Sequence, residues 1–265
     1  MKWLPVMFHP TQRVCLILAL ILPTGLAAAP TAHSAPLNLI QLNAERRIRF
    51  NDDWRFFKGE AKGAESPGYD DAKWRSLALP HDWAIEGPFN RAFNANTGGL
   101  PVSGTGWYRK HFVLPGDAKG RHFSVEFDGA MSNSRVWLNG HEIGERPYGY
   151  SSFALDLTPY LRWDGENVLA VRLRPEPDSS RWYPGAGLYR NVWLTTTGSV
   201  HVAHWGTYLT TPDVTDTRAT VSIATEVENH GAGQAAIELR TNVLDAHGNS
   251  VGHATTSGAI PAAGE

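Results

Sequence analysis

From Leu42 onward no long segment keeps a helical hydrophobic period; the chain runs instead in short alternating or β-branched stretches cut by Gly, Pro, Asn and Asp. A period of two with turn residues every few positions predicts strands without intervening helices, and strands in that arrangement close into a sandwich. The predicted strands are Arg47 to Phe50, Trp54 to Lys58, Gly106 to Leu114, His122 to Asp128, Ser134 to Leu138, His141 to Glu145, Ser152 to Asp156, Val168 to Leu173 and Arg190 to Thr195. Asn139-Gly140 between two apolar runs is a hairpin signal, since both residues tolerate positive φ. Leu155 to Leu161 reads as one helical turn, with Thr158 as cap and Pro159 at the first position. Gly59 to Ala72 is polar and Gly-rich and reads as a surface excursion, as does Gly87 to Gly104.

After Thr197 the aromatics thin out and Thr, Ala and Val rise. His201 to Thr210, Thr220 to Asn229, Ala236 to Leu244 and Val251 to Ala259 alternate as strands do. About four strands is short of the roughly seven of an immunoglobulin-like sandwich, so this second sandwich is expected to be incomplete. The fold class is therefore all-β, with boundaries at residues 43–197 for the first sandwich and 198–265 for the second.

The N-terminus reads as an export signal over residues 1–29: Lys2 and Arg13 supply charge, Val14 to Leu22 is apolar and too short to span a bilayer, and small residues follow from Gly25 to Ala29. Cleavage is expected near Ala27, with residues 30–42 as linker and a secreted or periplasmic destination; an uncleaved anchor is the alternative. The one cysteine, Cys15, lies in the apolar run, so the mature chain would hold no disulfide. The 24 Lys and Arg against 26 Asp and Glu give a net charge of -2, which offers no basic face for nucleic acid. Ten Trp in a Gly-rich, near-neutral chain suit carbohydrate handling, because indole rings stack on the apolar faces of sugars, although each ring is also a large packing element.

Four segments carry a resemblance: Leu79-Pro-His-Asp-Trp-Ala-Ile-Glu-Gly-Pro-Phe89; Gly106-Trp-Tyr-Arg-Lys-His-Phe112; Phe127-Asp-Gly-Ala-Met-Ser-Asn-Ser-Arg-Val-Trp-Leu-Asn-Gly140, leading to Gly149-Tyr-Ser-Ser-Phe153; and Ser180-Arg-Trp-Tyr-Pro-Gly-Ala-Gly-Leu-Tyr-Arg-Asn-Val-Trp-Leu194. In this order they resemble the sugar-binding jelly-roll domain of family 2 glycoside hydrolases of the β-galactosidase type. The resemblance implies a galactose-binding-like jelly-roll sandwich followed by the start of an immunoglobulin-like one. It also implies a (β/α)8 barrel C-terminal to this chain that carries two catalytic Glu in a retaining mechanism, held roughly 5–5.5 Å apart. No such pair is legible here, so no residue is assigned a catalytic role. Glu86, Glu142 and Glu145 read as loop or sheet-surface residues.

In the family a loop of the first domain helps to shape the substrate pocket. The segments that match are His81 to Asn96 and Asp178 to Gly187. They offer Asp82 as an acceptor for sugar hydroxyls, Asn94 and Asn96 as mixed donors and acceptors, Arg181 as a five-donor fork, and Trp182 or Trp83 as a stacking face. The packing reading of the same residues has Asp82 capping a turn and Trp83, Trp182 and Tyr183 holding the sheet. Arg181 stands at or next to the place of an acidic metal-linked residue in some relatives, so no sodium or magnesium site is expected. His201 and His204 fall on opposite faces of a strand and bring no metal together. No cofactor is expected, and the expected partners are a β-galactoside or related glycoside and the barrel. A free-standing carbohydrate-binding module and a truncated gene product without function are the alternatives.

Overall fold

The structure, a computed structural model, describes residues 14–23, 47–114 and 118–262. Its strands are β1 (Val14–Pro23), β2 (Arg47–Arg49), β3 (Trp54–Lys58), β4 (Arg75–Leu77), β5 (Gly106–Val113), β6 (His122–Phe127), β7 (Ser134–Leu138), β8 (His141–Arg146), β9 (Phe153–Asp156), β10 (Glu166–Leu173), β11 (Val192–Thr197), β12 (Val200–Val214), β13 (Arg218–Asn229), β14 (Ala235–Leu244) and β15 (Ser250–Ile260). Two compact units divide at Thr196 and Thr197, and the second also takes in β1.

The first unit is a sandwich of a six-stranded sheet, order β4-β3-β5-β10-β7-β8, and a four-stranded sheet, order β2-β11-β6-β9. The six-stranded sheet pairs antiparallel throughout, as do β2 with β11 and β6 with β9. Register decides the faces. Opposite Val171 stand Tyr108 and Val136, and opposite Tyr108 stands Phe56, so these four share the inner face. They pack with Val125, Phe127, Phe153, Val192 and Leu194 of the other sheet into one core. Central β10 is buried from Asn167 to Val171 with no alternation, because both of its faces are covered. At the β7–β8 hairpin Asn139 (φ 53) and Gly140 (φ 90) take the left-handed conformations the turn demands. The Asn139 side chain also accepts from the Val168 N–H and donates to the Tyr160 carbonyl, tying the hairpin to β10.

What covers the outer face of β10 is the segment after β3. Gly59 to Ala72 is not the solvated excursion its composition suggested. Ala61, Ala64 and Trp74 are buried against Trp107, Trp137 and Ala170 in a second apolar cluster. Beneath it lies Arg109, fully buried. Its Nε donates to Asp71 Oδ2 at 2.6 Å and its Nη1 to the carbonyls of Ala64 and Ser66. His111 Nε2 meets the same Asp71 oxygen at 2.8 Å, and its Nδ1 meets Glu166 at 3.0 Å.

Burial alone would raise the Asp71 carboxyl, but hydrogen bonds from His111 and Arg109 outweigh it and hold the group below the usual carboxylate range. Burial likewise opposes charge on His111, and its two carboxylate partners outweigh that and raise the imidazole. A histidine whose folded pKa lies above its unfolded value adds stability that is complete below the unfolded value and fades as pH rises through the folded one. His111→Asn is therefore expected to lower Tm more at about pH 6 than at about pH 8. Thermal melts of both proteins across that range check it; an equal loss at both ends would remove His111 from the pH dependence.

Other details depart from the sequence reading. The turn expected over Leu155 to Leu161 is a 3-10 turn at Thr158–Tyr160 with Leu157, not Thr158, at the cap position. The Thr158 hydroxyl instead accepts from the Phe123 N–H of β6. β4 was not predicted, being three residues long, charged and at the sheet edge.

In the second unit β13 pairs antiparallel with β12 on one side and with β1 on the other, while β14 and β15 form a hairpin. The run Val14 to Leu22, read as the core of an export signal, thus lies in a strand along β13. Burial on β13 alternates through Val221, Ile223, Thr225, Val227 and Asn229. The Asn229 carboxamide nitrogen lies within hydrogen-bond distance of the Gly233, Ile260 and Pro261 carbonyls, and its oxygen accepts from the Gly231 N–H.

Candidate functional site

The segment 182–188 gathers three of the four motifs, and the fourth joins through one side chain. The His81 N–H donates to the Leu188 carbonyl at 2.8 Å and the Trp83 N–H to the Ala186 carbonyl at 2.9 Å. Met131 and Gly187 exchange backbone hydrogen bonds, both at 2.9 Å. Tyr108 of the second motif meets His81 Nδ1 through its hydroxyl at 2.6 Å. Glycine is required at two of these approaches. A Cβ on Gly106 would overlap the Trp83 ring, and Gly187, at φ +136, faces the His81 carbonyl.

Asp82 is half-buried and fully engaged. Oδ1 accepts from the N–H groups of Ala84 (2.9 Å) and Ala186 (3.0 Å), and Oδ2 accepts from the Tyr183 hydroxyl at 2.5 Å. Burial, with the Asp82 charge added, pushes the Tyr183 hydroxyl far above its ordinary value, so it stays a donor. Burial pushes the His81 imidazole down, against the pull of Glu86, whose Oε1 lies 3.2 Å from Nε2. Trp83 is 1% exposed and lies among Phe56 and Tyr108, so it cannot serve as the stacking face considered for it.

Trp182 is 58% exposed, and its Nε1 donates to the Tyr150 hydroxyl at 2.8 Å. Tyr148, also exposed, lies against Tyr150 at 5.5 Å. Arg181 is exposed beside Trp182. In the long loop a 3-10 turn, Ala95–Thr97, is capped by Asn94, whose side-chain oxygen accepts from the Asn96 N–H at 2.8 Å. The Asn94 amide then donates to Asp178 Oδ1 at 2.5 Å, joining the two pocket-matching segments. The Asn96 side chain is exposed. A cleft of about 540 Å3 opens along this loop between Phe89, Asn90, Phe93 and Gly99. One of about 250 Å3 lies between Asn94, Leu100 and Asp178.

The structure thus forms two groups from the residues singled out in the sequence. Asn94 and Asn96 join Asp178 on the loop, while Asp82 is committed to Tyr183 and Ala186. Asp178 and Tyr150 were not singled out; the positive φ of Asp178 (56°) after Pro175-Glu-Pro marks a fixed turn that sequence alone did not expose.

Exposed aromatic rings beside amide and guanidinium groups are the groups that sugar contact calls for. Residues 50–198 match the family described as "Glycosyl hydrolases family 2, sugar binding domain", and the chain belongs to glycoside hydrolase family 2. It is similar to Beta-galactosidase BoGH2A of Bacteroides ovatus, 47% identical over 227 residues that make up 84% of this chain and 27% of that protein. A beta-glucuronidase of Formosa agariphila is 32% identical over 80% of this chain and 24% of its own length. Among solved structures, a beta-glycosidase from Bacteroides vulgatus superposes with a TM-score of 0.73 at 35% identity, covering 81% of this chain and 29% of that one. A family 2 beta-glucuronidase superposes at 0.76 and 30% identity, covering 82% and 25%. The chain spans about a quarter of the length of these relatives and corresponds to their N-terminal part.

Proposed function

We propose that this chain is the non-catalytic N-terminal part of a secreted enzyme that hydrolyses a β-galactoside or a related β-glycoside, and that its loops border the substrate pocket formed against a (β/α)8 barrel. The supporting observation is the Asn94–Asp178 hydrogen bond. It fixes a loop that would otherwise be long and irregular, and leaves Phe89, Phe93 and Asn96 exposed along it. Exposed Trp182 supplies an aromatic face and Arg181 donors. Such groups hold a sugar by hydroxyl hydrogen bonds and ring stacking; they do not break the glycosidic bond. The apolar run Val14 to Leu22 behind Lys2 and Arg13 supports export.

The chain alone is expected to hydrolyse no nitrophenyl β-galactoside. In the barrel-containing enzyme, Asn94→Ala is expected to raise KM about 3- to 10-fold with kcat nearly unchanged, since it frees a loop that binds substrate and transition state alike. Steady-state kinetics on nitrophenyl β-galactoside and β-glucuronide check both points. Turnover by the chain alone, or an unchanged KM on both substrates, would overturn the reading.

A further inference from the structure

A third cleft, of about 480 Å3, lies on the outer face of the six-stranded sheet and uses none of the loop residues above. Register builds its floor. Phe57, Trp107, Arg172 and Arg135 stand in one row across β3, β5, β10 and β7, and Trp137 stands opposite Glu142 in the next. The Trp107 and Trp137 rings stack at 5.5 Å and 25°. The segment after β3 forms one wall, with Glu60, Lys62 and Glu65.

The chemistry of this cleft is unusual in two respects. Its carboxylates, Glu60, Glu65 and Glu142, are matched in number by Lys62, Arg135 and Arg172, so the lining carries no net charge yet is dense in donors and acceptors. Among the described residues, Trp107 Nε1 and Arg172 Nε are buried without a hydrogen-bond partner, although Trp107 is only 4% exposed. Buried orphan donors are costly and call for an acceptor. Arg172 is the movable one: its guanidinium meets Glu60 at 3.6 Å, and Glu60 is itself exposed.

An anion would meet three carboxylates here and a cation three basic groups. A neutral polyol meets neither penalty. It can accept from the two orphan donors and donate to Glu60 and to Glu142, whose carboxylate Arg135 also holds. The volume is that of an ordinary small-molecule site. We propose that this cleft is a binding site for a neutral carbohydrate, one or two residues long, entered by displacement of Arg172.

The test is a titration of the intact chain followed through its indole N–H signals by 15N NMR, with lactose and methyl β-galactopyranoside as probes. Lactose is expected to shift the Trp107 indole with millimolar affinity, while glucuronate and glucosamine shift it less. Arg172→Met and Trp107→Phe are expected to weaken binding about fivefold or more, with the Trp137 indole as reporter in the second. Trp182→Ala is expected to leave it unchanged, which separates this cleft from the loop site. No response of the Trp107 indole to either neutral sugar in the unaltered chain would overturn the proposal, as would tighter binding of glucuronate or unweakened binding in Arg172→Met.

Discussion

Arg109→Ala is expected to destabilise the first unit by about 3–5 kcal/mol, the range for removing one partner of a buried ion pair. The guanidinium is inaccessible to solvent and holds together groups that have few other partners. Asp71, 8% exposed, would be left charged beside His111 alone, and the Ala64 and Ser66 carbonyls would lose their donor. The apolar contacts of Ala61, Ala64 and Trp74 depend on that segment staying in place, so the lost hydrogen bonds and the lost packing arrive together. Urea unfolding followed by tryptophan fluorescence measures the change. Asp71→Ala combined with Arg109→Ala should cost less than the sum of the single changes, because each already removes the interaction the other would. A loss under about 1 kcal/mol for Arg109→Ala would mean that the segment is held by its apolar contacts alone.

Asp82→Ala is expected to cost about 2–4 kcal/mol, since a hydrogen bond to a charged group is worth about 1.5–3 kcal/mol and this carboxylate accepts three that do not add independently. Asp82→Asn keeps an oxygen for the Ala84 and Ala186 N–H groups and should recover most of the loss. In the proposed barrel-containing enzyme the alanine variant is expected to lose kcat/KM and thermal stability together. Parallel melts and kinetics decide: an unchanged melting temperature with reduced kcat/KM would return Asp82 to direct sugar contact.

The strands were legible because a half-buried strand writes its burial into a period of two. β3 and β7 lie at the residues the alternation marks, and Asn139-Gly140 turns where positive φ is allowed. β10 was legible as a run of apolar residues, but the reason for that run, a cover on its outer face, was not. The cover is made of Gly, Ala and polar residues, and its anchor is a buried arginine whose partners lie 38 to 45 residues away. Charge reads as surface in a sequence, so Arg109 and Asp71 gave no core signal.

The candidate site shows the same limit. Asn94, Asn96 and Trp182 were singled out by residue type within the segments that resemble pocket loops, and the structure leaves Asn96 and Trp182 exposed and ties Asn94 to Asp178. Asp82 was singled out in the same way, but type does not reveal that a distant segment occupies its oxygens. Trp83 and Trp182 look alike in sequence. Only the glycine at 106, which makes room for the first ring, separates the buried indole from the exposed one.

The gathering of motifs around 182–188 also bears on the order in which the molecule assembles. Tyr183 and Ala186 reach Asp82 across 101 and 104 residues of chain, whereas the β7–β8 hairpin closes over two. Contacts that close long loops form late, because the chain loses that entropy before the contact rewards it. The contacts that fix Asp82 are therefore expected to form later than the local hairpins. Substitutions at Asp82 or Gly187 should accordingly act mainly on the rate of unfolding, leaving the rate of folding nearly as it was.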